Sequence, residues 1–211
     1  RQGDFVMPGT DSSYFWQGMI PQEENPHLVN PERGFVSSAN QMPTDTTYPY
    51  YLGGNYPPYR GLEINRRLAE MNNITPEDMM KLQTSNYNIF GEMALPVFVN
   101  NMQVDKLSPQ EKGYFDILKN WNHSNDPDSK GATLFVLSWD SLETTVWNDE
   151  FLKTRLQLLW PSESTLFDDI TKYPDFKFFD NVNTAQHETL SDDVTAAFQK
   201  AAAVVRQADV N

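Results

Sequence analysis

Phe135-Val136-Leu137-Ser138-Trp139-Asp140-Ser141-Leu142-Glu143-Thr144-Thr145-Val146 carries four large apolar side chains, Phe135, Trp139, Leu142 and Val146, at steps of 4, 3 and 4. That is the spacing of one helix face, and it predicts a helix with that face buried. The same period recurs on both sides. Towards the C-terminus, Pro161-Ser162-Glu163 opens a short helix. Leu190-Ser191-Asp192-Asp193 caps a last one, with Val194, Phe198, Ala201, Ala202 and Val205 inward. Towards the N-terminus, Ser108-Pro109-Gln110-Glu111 is a capping box, in which Ser108 and Glu111 each cover an orphan backbone N–H. Its helix carries Tyr114, Phe115, Leu118 and Trp121. Phe90, Met93, Ala94, Val97 and Phe98 keep helical spacing, with a kink expected at Pro96. Thr75-Pro76-Glu77-Asp78 is a helix start, and Leu62, Ile64, Leu68 and Met71 form an approximate stripe before it.

Residues 1–59 differ. They hold Pro8, Pro21, Pro26, Pro31, Pro43, Pro49, Pro57 and Pro58 and most of the glycines. Proline fixes φ and removes a donor, so long helices and central strands are both disfavoured there. The reading is an extended, loop-rich segment over 1–59, with one short strand at Gly34–Ser37, followed by a helical subdomain over 60–211. The fold class is mainly α, with little strand, and the helical part is an orthogonal bundle. The aromatics fill its core, Trp139 and Trp147 included.

Composition narrows the function. Lys and Arg number 16 against 29 Asp and Glu, a net charge of −13. Duplex nucleic acid is bound by neutralising phosphates, so neither nucleic acid nor an anionic membrane surface is an expected partner. No apolar run approaches a bilayer span. The chain has no cysteine, hence no disulfide framework, thiolate metal site or cysteine nucleophile. The three histidines, His27, His123 and His187, lie far apart and share no metal-ligand spacing. There is no G-x-S-x-G elbow and no Gly-rich phosphate loop before a helix. Asp126, Asp128 and Ser129 lack the spacing of a calcium loop. Asp168-Asp169 and Asp192-Asp193 are expected in helix first turns, where the macrodipole favours acids.

One stretch is specific. Phe15-Trp16-Gln17-Gly18-Met19-Ile20-Pro21 is followed by Asn25-Pro26, Asn30-Pro31 and Gly34-Phe35-Val36-Ser37-Ser38-Ala39-Asn40. Arg60-Gly61-Leu62-Glu63-Ile64-Asn65-Arg66-Arg67-Leu68 comes next, then Thr75 to Gln83. With Pro8-Gly9 in front, this order resembles the β chain of the penicillin acylase family of N-terminal-nucleophile amidohydrolases. The match is strong over residues 8–83; residues 84–211 agree in being helical and in length.

The resemblance implies a mechanism. A serine, made N-terminal by self-cleavage, attacks an amide carbonyl with its own amine as general base. The oxyanion is held by a backbone N–H and an asparagine side chain. That asparagine corresponds to Asn40, and the arginine that supports it to Arg60. On local grounds alone Asn40 reads as an ordinary turn residue; the motif around it favours the oxyanion role. Arg60 stands at a helix start, against the dipole, so it is expected to have a specific partner.

The chain begins with Arg1 and not serine, so the implied reading is an internal piece of the β chain, inactive alone. Its partners are then the remainder of the acylase precursor, the α chain and the N-terminal part of the β chain, with a small-molecule N-acyl amide as substrate. A β-lactam antibiotic is one such substrate. No cofactor is expected in this piece; Asp45, the only acid between Asn40 and Arg60, is misplaced for the family's calcium ligand, and the parent's structural calcium would use residues elsewhere. Family members are exported, which implies a periplasmic or extracellular parent. The alternative is a non-enzymatic helical module that binds glycan or peptide through Tyr48, Tyr50, Tyr51, Tyr56 and Tyr59. A piece of a larger fold should also expose apolar side chains, above all in its first 60 residues.

Overall fold

A computed structural model of the chain describes residues 6–54, 57–151 and 158–210. They fall into two compact units, Arg1–Leu82 and Gln83–Asn211. The described residues contain helices α1 (Tyr59–Glu70), α2 (Pro76–Gln83), α3 (Ile89–Asn101), α4 (Pro109–Lys119), α5 (Lys130–Phe151), α6 (Glu163–Lys172) and α7 (Leu190–Val210). Among them the sole β pairing outside a named strand is the bridge between Tyr87 and Ser124. The fold is mainly α, and residues 6–54 are loop-rich, with only two short 3-10 turns at Ser12–Tyr14 and Gln22–Glu24.

In the first unit, the expected strand at Gly34–Ser37 does not form. The chain turns at Pro31–Gly34, where the Gly34 N–H donates to the Pro31 carbonyl at 2.9 Å with Gly34 at φ 75°. Only glycine takes that conformation without a Cβ penalty. Beyond the turn, backbone polar groups bond to side chains instead of a ladder: the Ser37 carbonyl accepts from Gln41 Nε2 at 3.3 Å, and the Ala39 N–H donates to Gln41 Oε1 at 3.0 Å. Helix α1 buries Gly61, Glu63 and Leu68, while Leu62, expected inside, is exposed. Glu63 is held by Arg66 Nη2 at 2.6 Å and Arg67 Nε at 2.7 Å. Burial of this carboxylate is tolerated because both oxygens are paired. At the start of α2, Asp78 Oδ2 accepts from the Thr75 N–H at 3.0 Å, and the Asp78 N–H donates to Thr75 Oγ1 at 3.3 Å.

The second unit is helix on helix. Its most extensive packing is α5 on α7, with α3 and α4 against the pair. Phe135, Trp139, Leu142 and Val146 of α5 are buried, as are Val194, Phe198, Ala201, Ala202 and Val205 of α7. The capping box of α4 is present, with Glu111 N to Ser108 Oγ at 3.3 Å and Ser108 N to Glu111 Oε2 at 2.7 Å. Two local expectations change. Helix α7 begins at Leu190, and Thr189 N and Oγ1 both donate to Asp192 Oδ2, so the capping pair is Thr189 with Asp192. Asp168-Asp169 lie in the second half of α6, where Asp168 pairs with Lys172 at 2.7 Å; the acid in that helix's first turn is Glu163. Helix α3 accommodates Pro96 in its interior.

Trp121 is the wedge of this unit. Its ring stacks on Phe135 at 5.3 Å, and its Nε1–H donates to the Ser124 carbonyl at 2.8 Å. Two glycines make room for it. A Cβ on Gly91 of α3 would lie 2.6 Å from the ring, and a Cβ on Gly131 of α5 would lie 2.7 Å from Trp121 Cβ, Cγ and Cδ1. The atoms met by Gly131 belong to the root of a buried side chain, which has no free rotation to offer. Gly131→Ala is predicted to destabilise the unit by about 2–3 kcal/mol through overpacking, despite alanine's better helix propensity. Denaturant titration checks this, and an unchanged midpoint would contradict it.

Asp193 generates a second prediction. It is 6% exposed, and its Oδ2 has no hydrogen-bond partner. Burial, aided by Glu188, Asp192 and Asp149 and opposed by Lys200, pushes its pKa up to about 7, against 3.8 for the free side chain. The macrodipole at the start of α7 favours the anion, but desolvation and three like charges outweigh it. Between these two values the folded chain holds a proton that the unfolded chain has released, so stability falls as pH rises from about 4 to about 7. Asp193→Asn should flatten that fall. Chemical denaturation of wild type and variant at several pH values measures it, and parallel pH profiles would contradict it.

Candidate active site

The two residues singled out from the sequence meet in the first unit. Arg60 stands in the first turn of α1, and its Nη2 donates to Asn40 Oδ1. A guanidinium has only donors, so the Asn40 atom that faces it must be the carbonyl oxygen. This fixes the amide orientation: Oδ1 is occupied by the cation, and the two Nδ2–H donors are turned away from it. A charge-assisted bond is roughly twice as strong as a neutral one and polarises the amide, which makes Nδ2–H a better donor. Both residues are exposed. The cation at the unfavourable end of α1 therefore has the specific partner its position called for.

Asn40 is also a turn residue in a strict sense. Its φ is 60°, in the left-handed region that asparagine tolerates better than other side chains. The turn is held from both sides. Ala39 is buried. Gln41 reaches back to bond Ser37 and Ala39, as described above, and its side chain lies against Gly61 of α1. A Cβ on Gly61 would sit 2.6 Å from Gln41 Oε1 and 3.3 Å from Gln41 Cβ. One turn further along α1, Asn65 Oδ1 accepts from Ser37 Oγ at 2.8 Å and from Arg33 Nη1 at 3.0 Å, while its Nδ2 donates to the Gly61 carbonyl at 2.7 Å. Arg33 also donates through Nε to the Phe35 carbonyl at 3.0 Å and covers the Phe35 ring at 4.7 Å.

Gln41, Gly61 and Asn65 were not reached from the sequence. Gly61 did carry a signal, since a glycine inside an otherwise helical pattern often marks a close approach. Gln41 and Asn65 carried none, because amide side chains serve equally well on a solvated surface.

Other candidates resolve differently. Asp45 accepts from Thr47 N at 2.9 Å and Thr47 Oγ1 at 2.6 Å, and those bonds hold its pKa below the ordinary value. It closes a local turn. Tyr48 and Tyr50 both bond Glu24, Tyr48 to its carbonyl at 2.9 Å and Tyr50 to its Oε2, and the rings meet edge-on at 5.6 Å. This geometry gives no flat stacking platform. Tyr51 is exposed, and Tyr56 lies outside the described residues. His27 bonds the Asn25 carbonyl, His123 packs against Trp121 and Tyr87, and His187 faces Asp180 at 3.0 Å. Among the described residues no three His, Cys, Asp or Glu converge on a point that could hold a metal ion. None of the described helices is long and apolar enough to cross a membrane. In the second unit a cleft of about 500 Å³ opens between α3, α6 and the start of α7, lined by Met93, Pro96, Asn101, Phe167 and Leu190. Its lining carries no titratable group.

A family model described as penicillin amidase matches residues 1–211. The chain belongs to the penicillin amidase family. Over 70 residues it is 35% identical to penicillin acylase 2 proenzyme of Pseudomonas sp. (strain SE83), a match that covers 33% of this chain and 9% of that proenzyme. The family match spans both units, so the helical second unit, where the sequence showed only helical character, belongs to the same family region as the motif-bearing first unit.

Proposed function

We propose that these residues form part of a penicillin-acylase-like hydrolase of N-acyl amides, and that Asn40 is the side-chain donor of its oxyanion hole. The observation that carries the reading is the Arg60–Asn40 bond, which occupies Oδ1 and leaves Nδ2–H free to donate. Membership of the penicillin amidase family supports the reaction class.

The nucleophile is a serine outside these 211 residues, with its own α-amine as general base. Its hydroxyl oxygen bonds to the amide carbon while the proton passes to the amine. The carbonyl oxygen becomes an oxyanion, and Asn40 Nδ2–H donates to it. Collapse breaks the C–N bond, the proton goes to the leaving amine, and an acyl ester remains. Water then hydrolyses the ester by the same steps. A preorganised donor of this kind lowers the barrier by about 3–4 kcal/mol. Arg60 contributes by holding Asn40 and by placing positive charge behind the amide.

On this reading the chain alone lacks a nucleophile and is inactive. Its partner is the rest of the acylase, and its compartment is periplasmic or extracellular. The exposed apolar side chains of the first unit support a covering partner: Trp16 is 79% and Met19 83% exposed, and Phe15, Leu28, Val29 and Val36 are also open.

The test uses the full-length protein. Asn40→Gly removes the donor and keeps the left-handed turn, because glycine is free to adopt φ 60°. Self-cleavage is expected to proceed, and kcat on the best substrate from a panel of N-acyl-4-nitroanilides should fall about 100-fold or more with KM little changed. Near-normal turnover by the processed variant would remove Asn40 from the reaction. Failure of the processed wild type to cleave any acyl anilide would overturn the amidohydrolase reading.

A further inference from the structure

The Asn40 turn rests on a wedge that the reaction itself would not touch. Gln41 turns its side chain away from the open surface and towards α1. Its Oε1 accepts from the Ala39 N–H at 3.0 Å and its Nε2 donates to the Ser37 carbonyl at 3.3 Å, so one amide bonds the backbone on the near side of Asn40 twice. The same amide lies where a Cβ of Gly61 would be, 2.6 Å from its Oε1. Gly61 is the neighbour of Arg60 in the first turn of α1. The wedge therefore sets the distance between the turn that carries Asn40 and the helix turn that carries Arg60. Asn65 ties the segment a second time, through Ser37 Oγ at 2.8 Å and back to the Gly61 carbonyl at 2.7 Å.

We propose that Gln41, seated on the bare Cα of Gly61, is a positioning residue that holds Asn40 at the register in which Arg60 occupies its Oδ1 and its Nδ2–H faces the reacting carbonyl. This rests on the oxyanion reading of Asn40. A left-handed asparagine on an exposed loop has no steric reason of its own to stay at one height above α1. The wedge supplies that reason. Glycine in the first turn of a helix is the costly choice, by about 1 kcal/mol relative to alanine, and the contact with Gln41 explains why it stands there.

Gly61→Ala makes the inference sharp, because stability and activity should move apart. The Cβ meets the flexible end of Gln41 hardest, at 2.6 Å from Oε1, and presses its root only lightly, at 3.3 Å from Cβ, while alanine favours the helix, so the variant should fold with a Tm close to that of the wild type. With Gln41 pushed out, kcat on the N-acyl-4-nitroanilide should fall about 10- to 100-fold while KM holds, since an error of about 1 Å in a positioned group costs up to about 100-fold. Gln41→Leu, which removes both bonds at similar size, should do the same. Gln41→Glu keeps the acceptor for Ala39 N–H and should recover part of the loss.

The decisive comparison is made in two backgrounds of the full-length, processed enzyme. If Gln41 acts through Asn40, Gln41→Leu costs about 10- to 100-fold in wild type and nothing further in Asn40→Gly. Equal losses in both backgrounds, or normal kcat in Gly61→Ala, would overturn the positioning role and leave the oxyanion reading intact. Normal turnover by Asn40→Gly itself would instead remove that reading, whatever the Gln41 variants do.

Discussion

Arg60 donates to the carbonyl oxygen of Asn40, and the amide has no other way to face a cation. The rest of the first unit serves this contact. Helix α1 starts where it does because Pro58 and Tyr59 end the loop-rich stretch, which puts Arg60 in the first turn. Asparagine suits position 40 twice over: it tolerates the left-handed backbone better than other side chains do, and its amide offers a carbonyl oxygen to the arginine. Gln41, Gly61 and Asn65 fix the height of the turn above the helix. The Phe35 and Ser37 carbonyls accept from the side chains of Arg33 and Gln41, so neither is offered to a neighbouring strand, and Phe35–Ser38 forms none.

The second unit answers to a different constraint, the volume of its aromatic core. Trp121, Phe135, Trp139 and Phe90 touch in a chain of stacked and edge-on pairs. Gly91 and Gly131 exist to admit Trp121. The unit carries its own electrostatic liability in Asp193 and in Glu163, whose pKa burial and the nearby Glu143 and Asp140 push up to about 7.

The helices were legible because their signals are local. The Ser108–Glu111 box, the Thr75 start and the 4, 3, 4 steps of α5 each depend on residues within a few positions of one another. Of the stripe on α1, Leu68 is buried and Ile64 and Met71 are half-buried; only Leu62 is exposed, and the buried position next to it is Glu63, made tolerable by two arginines further along the same helix. The Thr189 cap was missed by one residue, within the usual uncertainty of a helix end. The Asn40–Arg60 contact was reached only through the resemblance, since the spacing of 20 residues between them carries no periodicity. Gln41 and Asn65 stayed invisible because what matters in them is a partner brought in by the fold: Gln41 meets Gly61, and Asn65 meets Ser37 Oγ, only once the loop lies on α1.

The most direct test of the account is a crystal structure of the full-length, processed protein after reaction with a serine-directed phosphonate, which leaves a tetrahedral adduct whose oxygen mimics the oxyanion. The account places Asn40 Nδ2 about 2.7–3.1 Å from that oxygen, with Oδ1 still bonded to Arg60. An adduct oxygen held by other donors, with the Asn40 amide directed away from it, would contradict the assignment.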